Sequence, residues 1–231
     1  MKALKFFMAT TIAALFIISA CQKENSDSQI SGHGSTLYGK LNQANASNSQ
    51  GTDHVRWDII SLTATPLTAR AGGVAFASAI TGNIPSPDWK IKFTGAGTFV
   101  APASGGGSGA VTGGGTWETF SGGVSTGSGT YKVTKLASWV FANLQLPVLN
   151  NLIATPNQVA ANGTAVLVIE YSDGSQGTLG VGCHGPGAPD GIQEGVIATK
   201  GYVTYWTGEV PGALTEDKNR TLFNILIKDS Q

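Results

Sequence analysis

The sequence has few charged residues and no cluster of basic ones. Only 12% of its 231 residues are charged, and the fourteen Lys and Arg are scattered singly. Nucleic-acid binding relies on clustered Lys and Arg that contact phosphates. Nucleic acid is therefore not an expected partner of this chain.

Long apolar runs are also missing, apart from one near the amino terminus. Lys2 and Lys5 precede residues 6–18, which are apolar except for two threonines. A helix that spans a bilayer needs about 20 such residues, so this run predicts a cleaved signal and disfavours a permanent transmembrane helix.

The run ends in Ile18-Ser19-Ala20-Cys21: a branched apolar residue, two small residues and a cysteine. This motif resembles the lipobox of bacterial lipoproteins. The resemblance implies that residues 1–20 are a signal peptide and that Cys21 carries diacylglyceryl and acyl groups, such as palmitate. Two or three acyl chains would give stable anchoring to a membrane. The alternative is an ordinary secretory signal that a cysteine happens to follow.

The residues after Cys21 indicate where the protein is sent. Residues 22–27, Gln-Lys-Glu-Asn-Ser-Asp, begin with Gln where an inner-membrane retention signal would commonly place Asp. An outer-membrane lipoprotein that faces the periplasm or the cell surface is therefore expected. The short acidic run also resembles the surface-export tag of some Gram-negative lipoproteins, although it is equally consistent with a hydrophilic tether. Residues 21–50 as a whole, rich in Ser, Asn, Gln and Gly, predict a flexible tether.

Cysteine is scarce, because Cys183 is the only other cysteine in the chain. Once Cys21 is lipidated, no internal disulfide is possible and the fold must depend on its core. Cys183 is then either buried or available for pairing with another chain.

Residues 51–231 predict a single domain of β-strands. Glycine is abundant, with 32 residues, and short apolar runs recur between turn signals. Ser172-Asp173-Gly174-Ser175 between two such runs predicts a hairpin. We expect about eight to ten antiparallel strands in an all-β domain, with a closed barrel of lipocalin-like architecture as first choice and a β-sandwich as second. The runs are residues 55–62, 73–80, 89–100, 110–120, 129–136, 165–171, 177–184, 194–206 and 220–228.

Residues 136–153 are an exception to this alternation, because Pro147 interrupts them and their apolar residues show no clear period. They are consistent with a short helix or a long loop. Insertion of this stretch into a membrane is disfavoured, since Asn143, Gln145, Asn150 and Asn151 would be costly in hydrocarbon.

A Thr-Gly-x-Gly-Thr-aromatic motif occurs three times, at residues 94–99, 112–117 and 126–131. In a strand, alternate residues share a face, so glycines and the aromatic residue lie on one face and threonines on the other. We expect Gly97, Gly115 and Gly129 to lie under aromatic rings of adjacent strands and the threonines to face outward.

Side chains that could carry chemistry are few. Cys183-His184 is followed by Asp190 and Glu194 in a loop rich in Gly and Pro. Because neighbours in a strand point to opposite faces, Cys183 and His184 are poorly placed to grip one metal ion, and neither a metal nor a cofactor is expected. A Gly-x-Ser-x-Gly match at residues 123–127 lies between predicted strands, which is the wrong context for a serine hydrolase.

These observations favour a lipid-anchored, non-catalytic binding module over an enzyme. The five tryptophans can form contact surfaces for a sugar, a peptide or a small hydrophobic molecule. His184, Asp190, Glu194 and Trp206 are the candidate ligand-binding residues. The alternatives are an enzyme with a site around His184, Asp190 and Glu194, or a structural envelope protein without a small ligand.

Overall fold

The fold consists of β-strands joined by turns and loops. The computed structural model describes residues 53–81, 84–102, 106–208 and 219–226. Within those ranges there are fourteen strands and no helix, which confirms the predicted all-β class. The same ranges contain no helix long and apolar enough to cross a bilayer. The predicted signal peptide (1–20), the tether (21–50) and Cys21 lie outside the described residues.

The strands are named in chain order. They are β1 (Asp53–Ala64), β2 (Leu67–Ala71), β3 (Ala75–Thr81), β4 (Ile84–Phe93), β5 (Ala96–Ala101), β6 (Val111–Ser121), β7 (Val124–Leu144), β8 (Asn150–Asn151), β9 (Gln158–Tyr171), β10 (Gln176–Cys183), β11 (Gly195–Lys200), β12 (Val203–Tyr205), β13 (Thr207–Gly208) and β14 (Arg220–Leu226).

Six of these strands form a closed barrel. The ring runs β1, β5, β6, β7, β9 and β14 and returns to β1, and every pairing in it is antiparallel. Closure leaves the ring without a free edge. The predicted barrel is thus confirmed, and the sandwich alternative is wrong.

The remaining strands attach where long ring strands change partner. On one edge, β6 pairs with β5 at residues 111–114 and with β4 at 117–121. Similarly, β9 pairs with β14 at 158–161 and with β10 at 163–170. The two sets of outer strands are joined through β12 and β13, because β12 pairs with β11 while β13 pairs with β3.

Aromatic side chains fill the interior of the ring. Trp139 of β7 lies with its ring centroid 4.7 Å from Phe223 and 5.3 Å from Phe99. Trp57 is paired with Phe223 and is fully buried on the same face. Side chains commonly fill the interior of a small barrel in this way.

A second aromatic cluster lies where the ring strands continue past the barrel. Tyr171 packs edge-on to Trp117, with centroids 5.6 Å apart, and Phe93 packs edge-on to Tyr131 at 5.4 Å. The ammonium of Lys200 lies 4.2 Å from the Trp117 ring centroid. These rings belong to the same continuous core as the barrel interior, which therefore extends under the outer strands.

Two of the three repeated glycines lie under aromatic rings of adjacent strands, as expected. A Cβ at Gly97 would lie 2.9 Å from Nε1 of Trp57, and one at Gly129 would lie 3.1 Å from Nε1 of Trp117. Gly115 differs, because its neighbour is the carbonyl oxygen of Thr94, at 2.0 Å from the position of a Cβ. The expectation of a ring over Gly115 is thus wrong, since a backbone approaches there instead.

The threonines of the motif face outward, as predicted. Thr98 and Thr112 are exposed and share a hydrogen bond of 2.7 Å between their hydroxyls. Thr94 and Thr116 make the same contact at 2.7 Å. Cross-strand Thr pairs of this type support the pairing of neighbouring strands.

The helix considered for residues 136–153 is wrong. β7 continues to Leu144, and its pairing with β9 shifts register at three places, after Val133, Leu136 and Phe141. Each bulge adds a residue and moves the following side chains to the other face. That is why the sequence shows no alternation there, although the segment is largely a strand.

Turns at glycines divide two of the predicted apolar runs into separate strands. A third turn is the predicted hairpin. Residues 89–100 break between β4 and β5 at Gly95, which has a φ of 149°. Residues 194–206 break between β11 and β12 at Gly201, with a φ of 57°. The predicted hairpin at residues 172–175 is confirmed, with the Gly174 amide donating to the carbonyl of Tyr171 at 2.9 Å.

Candidate functional site

The four candidate residues lie around the loop that joins β10 to β11. His184 follows the last residue of β10, and Glu194 precedes the first residue of β11. Asp190 lies in the loop between them and is exposed, and Trp206 separates β12 from β13. The loop of residues 184–194 therefore brings His184 and Glu194 together at one end of the sheet.

Glu194 fastens this loop to the barrel. One carboxylate oxygen accepts a hydrogen bond from the backbone amide of His184 at 2.5 Å, and the other accepts one from the amide of Thr221 in β14 at 2.7 Å. Nδ1 of His184 lies 2.8 Å from the carbonyl oxygen of Ile192. The next residue, Gly185, donates its amide to Oδ1 of Asn162 at 2.8 Å. Both ends of the loop are thus held by specific contacts.

A cavity of about 200 Å³ lies beside Glu194, against β1, β2 and β14, and we refer to it as the wall cavity. It lies at one end of β14, where Thr221 and Leu222, which point to opposite faces of the strand, both line it. Six of its thirteen lining residues are aliphatic, and its polar groups include Glu194, His184 and Arg220. The aliphatic lining consists of Ile60, Leu62, Leu67, Leu149, Pro186 and Leu222. An apolar cavity with a few convergent polar groups is the usual form of a small-molecule site.

Burial changes the acid strength of the groups at the cavity. Part of Glu194 reaches the surface, but its carboxyl group is surrounded by protein, and this burial raises the pKa of Glu194 from 4.5 to about 7. The amides of Thr221 and His184 act in the opposite direction, because they hydrogen-bond to the charged form. Perturbed carboxyl groups in concave sites are characteristic of functional sites.

Cys183 is buried and is not a reactive thiol. Its sulfur accepts a hydrogen bond from Nε2 of Gln145 at 3.2 Å and donates one to the carbonyl oxygen of Thr221 at 3.2 Å. Burial, together with the charge of Glu194, raises the pKa of the Cys183 thiol well above its ordinary value. Because the thiolate is the nucleophile, this environment does not suit a catalytic cysteine.

A second depression, which we call the outer groove, lies on the outward face of β9, β10 and β11. It has a volume of about 370 Å³. Gly180 and Gly182 form its floor, with Trp206 and Ile197 on one side and Val166 on the other. The Trp206 side chain is 59% exposed, so the outer groove presents an indole face to solvent. Glu194 lines both depressions and stands between them.

The predicted residues therefore separate into two places. His184 and Glu194 share the wall cavity, and Trp206 lines the outer groove with Glu194. Asp190 lines neither depression. Among the described residues no group of three His, Cys, Asp or Glu could hold a metal ion. Ser125 of the Gly-x-Ser-x-Gly match lies in strand β7 and not before a helix, so the nucleophile elbow of serine hydrolases is not formed.

Three residues of the site could not be found from the sequence. Gln145, Thr221 and Arg220 lie 26 or more residues from Glu194 along the chain and reach the cavity through the closure of the ring. No motif marks them, since each is an ordinary strand or loop residue by its sequence context. Comparison of the chain with protein-family models, curated proteins and solved structures finds no match.

Proposed function

We propose that this chain is a lipid-anchored, extracytoplasmic binding module without catalytic activity, and that its ligand is a small, largely apolar molecule held in the wall cavity. The observation that carries the proposal is the Glu194 carboxyl group, nearly buried at the edge of an aliphatic cavity, with a pKa raised to about 7. A buried carboxyl group is costly to the fold. Retaining one beside an apolar cavity is reasonable if it orients a ligand.

The volume and lining of the wall cavity define the ligand class. A dry apolar cavity of about 150 Å³ holds benzene, so a cavity of about 200 Å³ suits a molecule slightly larger than benzene. Its aliphatic lining suits a hydrocarbon body. Glu194 and His184 suit a single polar group, such as a hydroxyl, at one end.

The arrangement of the ionisable groups favours binding over catalysis. Glu194 accepts a hydrogen bond from the backbone amide of His184, and Nδ1 of the His184 ring lies at the carbonyl oxygen of Ile192. Asp190 is exposed and lies outside the cavity. An acid, a base and a nucleophile that act on one substrate must converge on it, and Asp190 does not join His184 and Glu194 at the cavity.

The outer groove supports a second candidate ligand, a sugar. The exposed indole of Trp206 beside a glycine floor is a surface on which the apolar face of a pyranose ring can stack. Thr164 and Gln193, also in its lining, carry neutral hydrogen-bonding groups.

Location is proposed from the sequence. The lipobox at Cys21 supports anchoring in the outer membrane, with the domain facing the periplasm or the cell surface. Partners are accordingly the membrane, through the lipid on Cys21, and a small molecule, glycan or protein.

Thermal melting of the full chain with toluene, indole and 1-heptanol tests the wall cavity. A ligand at about ten times its Kd stabilises the folded state by about 1.4 kcal/mol, which raises Tm by about 3–6 °C for a domain of this size. We expect Leu67→Phe, which fills the cavity, to abolish that rise. The control Val124→Phe, at the exposed first residue of β7, should retain it.

Two results would refute the proposal. If the rise in Tm persists in Leu67→Phe, the probe binds outside the wall cavity. If none of the three probes moves the Tm of the wild-type chain, the structural-protein alternative is favoured, since its expectation is a filled fold that binds no small molecule.

A further inference from the structure

The segment that follows β7 exposes a cluster of aliphatic side chains. Leu146 is 48% exposed, Val148 59% and Leu152 57%, and Pro147 between them is exposed as well. We call Leu146, Pro147, Val148 and Leu152 the apolar tip. Single exposed apolar residues need no explanation, whereas four within seven positions mark an interaction surface.

Two polar side chains of this segment, Asn143 and Gln145, form hydrogen bonds with other parts of the barrel. Nδ2 of Asn143 donates to the carbonyl oxygen of Gly187 at 2.7 Å, and Gln145 is buried with its Nε2 at Cys183 and Ala161. These contacts remove two of the polar groups that weighed against membrane insertion of residues 136–153.

The remaining two asparagines are engaged with the barrel in the same way. Asn151 donates from Nδ2 to Oδ1 of Asn224 at 2.6 Å, and its own Oδ1 accepts the amides of Ile153 and Ala154. Asn150 donates to the hydroxyl of Thr68 at 3.4 Å. Asn143, Gln145 and Asn151 thus bind other parts of the barrel, whereas Asn150 stays exposed beside the tip.

Backbone donors at the tip are also satisfied within the protein. The amide of Leu146 donates to the carbonyl oxygen of Pro186 at 3.0 Å, that of Val148 to Leu146 at 2.8 Å and that of Leu152 to Ala69 at 3.1 Å. Pro147 has no amide hydrogen. Unsatisfied backbone groups are the main cost of placing a loop in lipid, and these four residues carry no free N–H.

Charge is absent from a long stretch around the tip. None of the 34 residues from Leu136 to Ile169 is Asp, Glu, Lys, Arg or His. Protein interfaces are enriched in Tyr, Trp, Met and Arg, and the tip consists only of Leu, Pro and Val. Its composition therefore matches the acyl region of a bilayer better than the surface of a protein.

We propose that the apolar tip inserts into the outer part of a lipid bilayer and holds the barrel against the membrane surface. Leu149, between Val148 and Asn150, lines the wall cavity. Insertion thus brings the cavity close to the lipid surface. The contact is independent of ligand binding in the wall cavity, and it does not require charged lipids, because the tip carries no charge.

The number of residues between Cys21 and the barrel is large enough to allow this contact. Thirty-two positions separate Cys21 from Asp53, where β1 begins. A stretch of that many residues can span at most about 110 Å. The barrel can therefore turn its apolar tip to the membrane when Cys21 is anchored there.

The test compares a tryptophan introduced by Val148→Trp with one introduced by Val124→Trp. Val124 is 68% exposed, is the first residue of β7 and serves as the matched control. The full-length chain is reconstituted with phosphatidylcholine vesicles whose acyl chains are plain or brominated, and the fluorescence of the wild-type chain is subtracted. For Val148→Trp we expect a blue shift and about a half or more of the added emission quenched by bromine. For Val124→Trp we expect quenching by aqueous iodide only.

A second variant tests whether the tip itself carries the contact. Leu152→Asp in the Val148→Trp background should reduce quenching by bromine about tenfold, because a carboxylate is costly at this depth. Its Tm shows whether the fold is retained, and Val124→Asp in the same background should leave quenching unchanged. Replacing a third of the lipid by phosphatidylglycerol should also have no effect.

Three results would overturn the proposal. One is equal access of iodide to both introduced tryptophans, with no bromine quenching of either. Another is quenching that survives Leu152→Asp. The third is a blue shift of Val148→Trp that rises with protein concentration in the absence of vesicles, which would make the tip a contact between two copies of the chain.

Discussion

Glu194→Gln separates the charge of the buried carboxyl group from its shape. Glutamine is neutral at every pH and keeps one acceptor oxygen for the amide of His184 or Thr221. In the wild-type chain burial raises the pKa of Glu194 from 4.5 to about 7. The folded state therefore holds this proton more tightly than the unfolded chain does.

The sign and size of the pH effect follow from linkage. Between pH 4.5 and about 7 the folded state binds more protons than the unfolded state, so the unfolding free energy falls as the pH rises through this window. The contribution of Glu194 to the unfolding free energy is constant below and above the window. At about 1.4 kcal/mol per pKa unit, the contribution of Glu194 changes by about 3 kcal/mol.

Urea denaturation followed by tryptophan fluorescence at pH 4 to 8 measures this contribution. From pH 4 to pH 8 the wild-type chain should lose about 3 kcal/mol of unfolding free energy relative to Glu194→Gln. Gln193→Ala is the matched control in the same loop, and its curve should run parallel to that of the wild type. A difference between Glu194→Gln and wild type that stays constant from pH 4 to pH 8 would refute the buried carboxyl group and its role in the wall cavity.

Three further predictions concern the core, the thiol and the anchor. Gly97→Val should lower the unfolding free energy by about 1–3 kcal/mol or more, because backbone and a tryptophan ring occupy the space, whereas Gly109→Ala, with open space around it, should change little in the same denaturation assay. Cys183 should react with a water-soluble disulfide reagent only after urea unfolds the chain, and rapid reaction in native buffer would contradict its burial. Cys21→Ser should abolish metabolic acyl labelling and lipoprotein-type cleavage, and unchanged labelling would show that Cys21 is not the lipidated residue.

Local patterns in the sequence predicted local structure well. Asp173-Gly174 marks a hairpin because two short, turn-forming residues separate two apolar runs, and that turn is formed. The period of two along the Thr-Gly motifs placed the threonines outward, and Thr98 and Thr112 pair there. Each inference depends only on neighbours within a few residues.

The same reasoning failed where bulges interrupt a strand. β7 looked irregular beyond Leu136 because three register shifts change which face each following residue occupies. From the sequence, the polar residues Asn143 and Gln145 weighed against insertion of this stretch into a membrane. In the fold they point inward and leave the neighbouring aliphatic residues exposed.

The candidate site was predicted only in part. His184 and Glu194 lie close in sequence at the ends of one loop, so their meeting could be expected. Asp190, in the same loop, is exposed and takes no part in the cavity. The wall opposite Glu194, including Thr221 and Gln145, comes from distant segments and had no signal in the sequence.

By itself the sequence determined the all-β class, the outward and inward faces of regular strands, the hairpin at residues 172–175 and the lack of charge around residues 136–169, whereas the expected eight to ten strands are fourteen in the fold. Only the tertiary structure decided which strands are neighbours. β14 closes the ring between β1 and β9, and that closure brings Thr221 to Glu194 and encloses the wall cavity. The physical reason is that alternation depends on backbone geometry within one strand, whereas the choice of partner depends on packing between residues far apart in the chain.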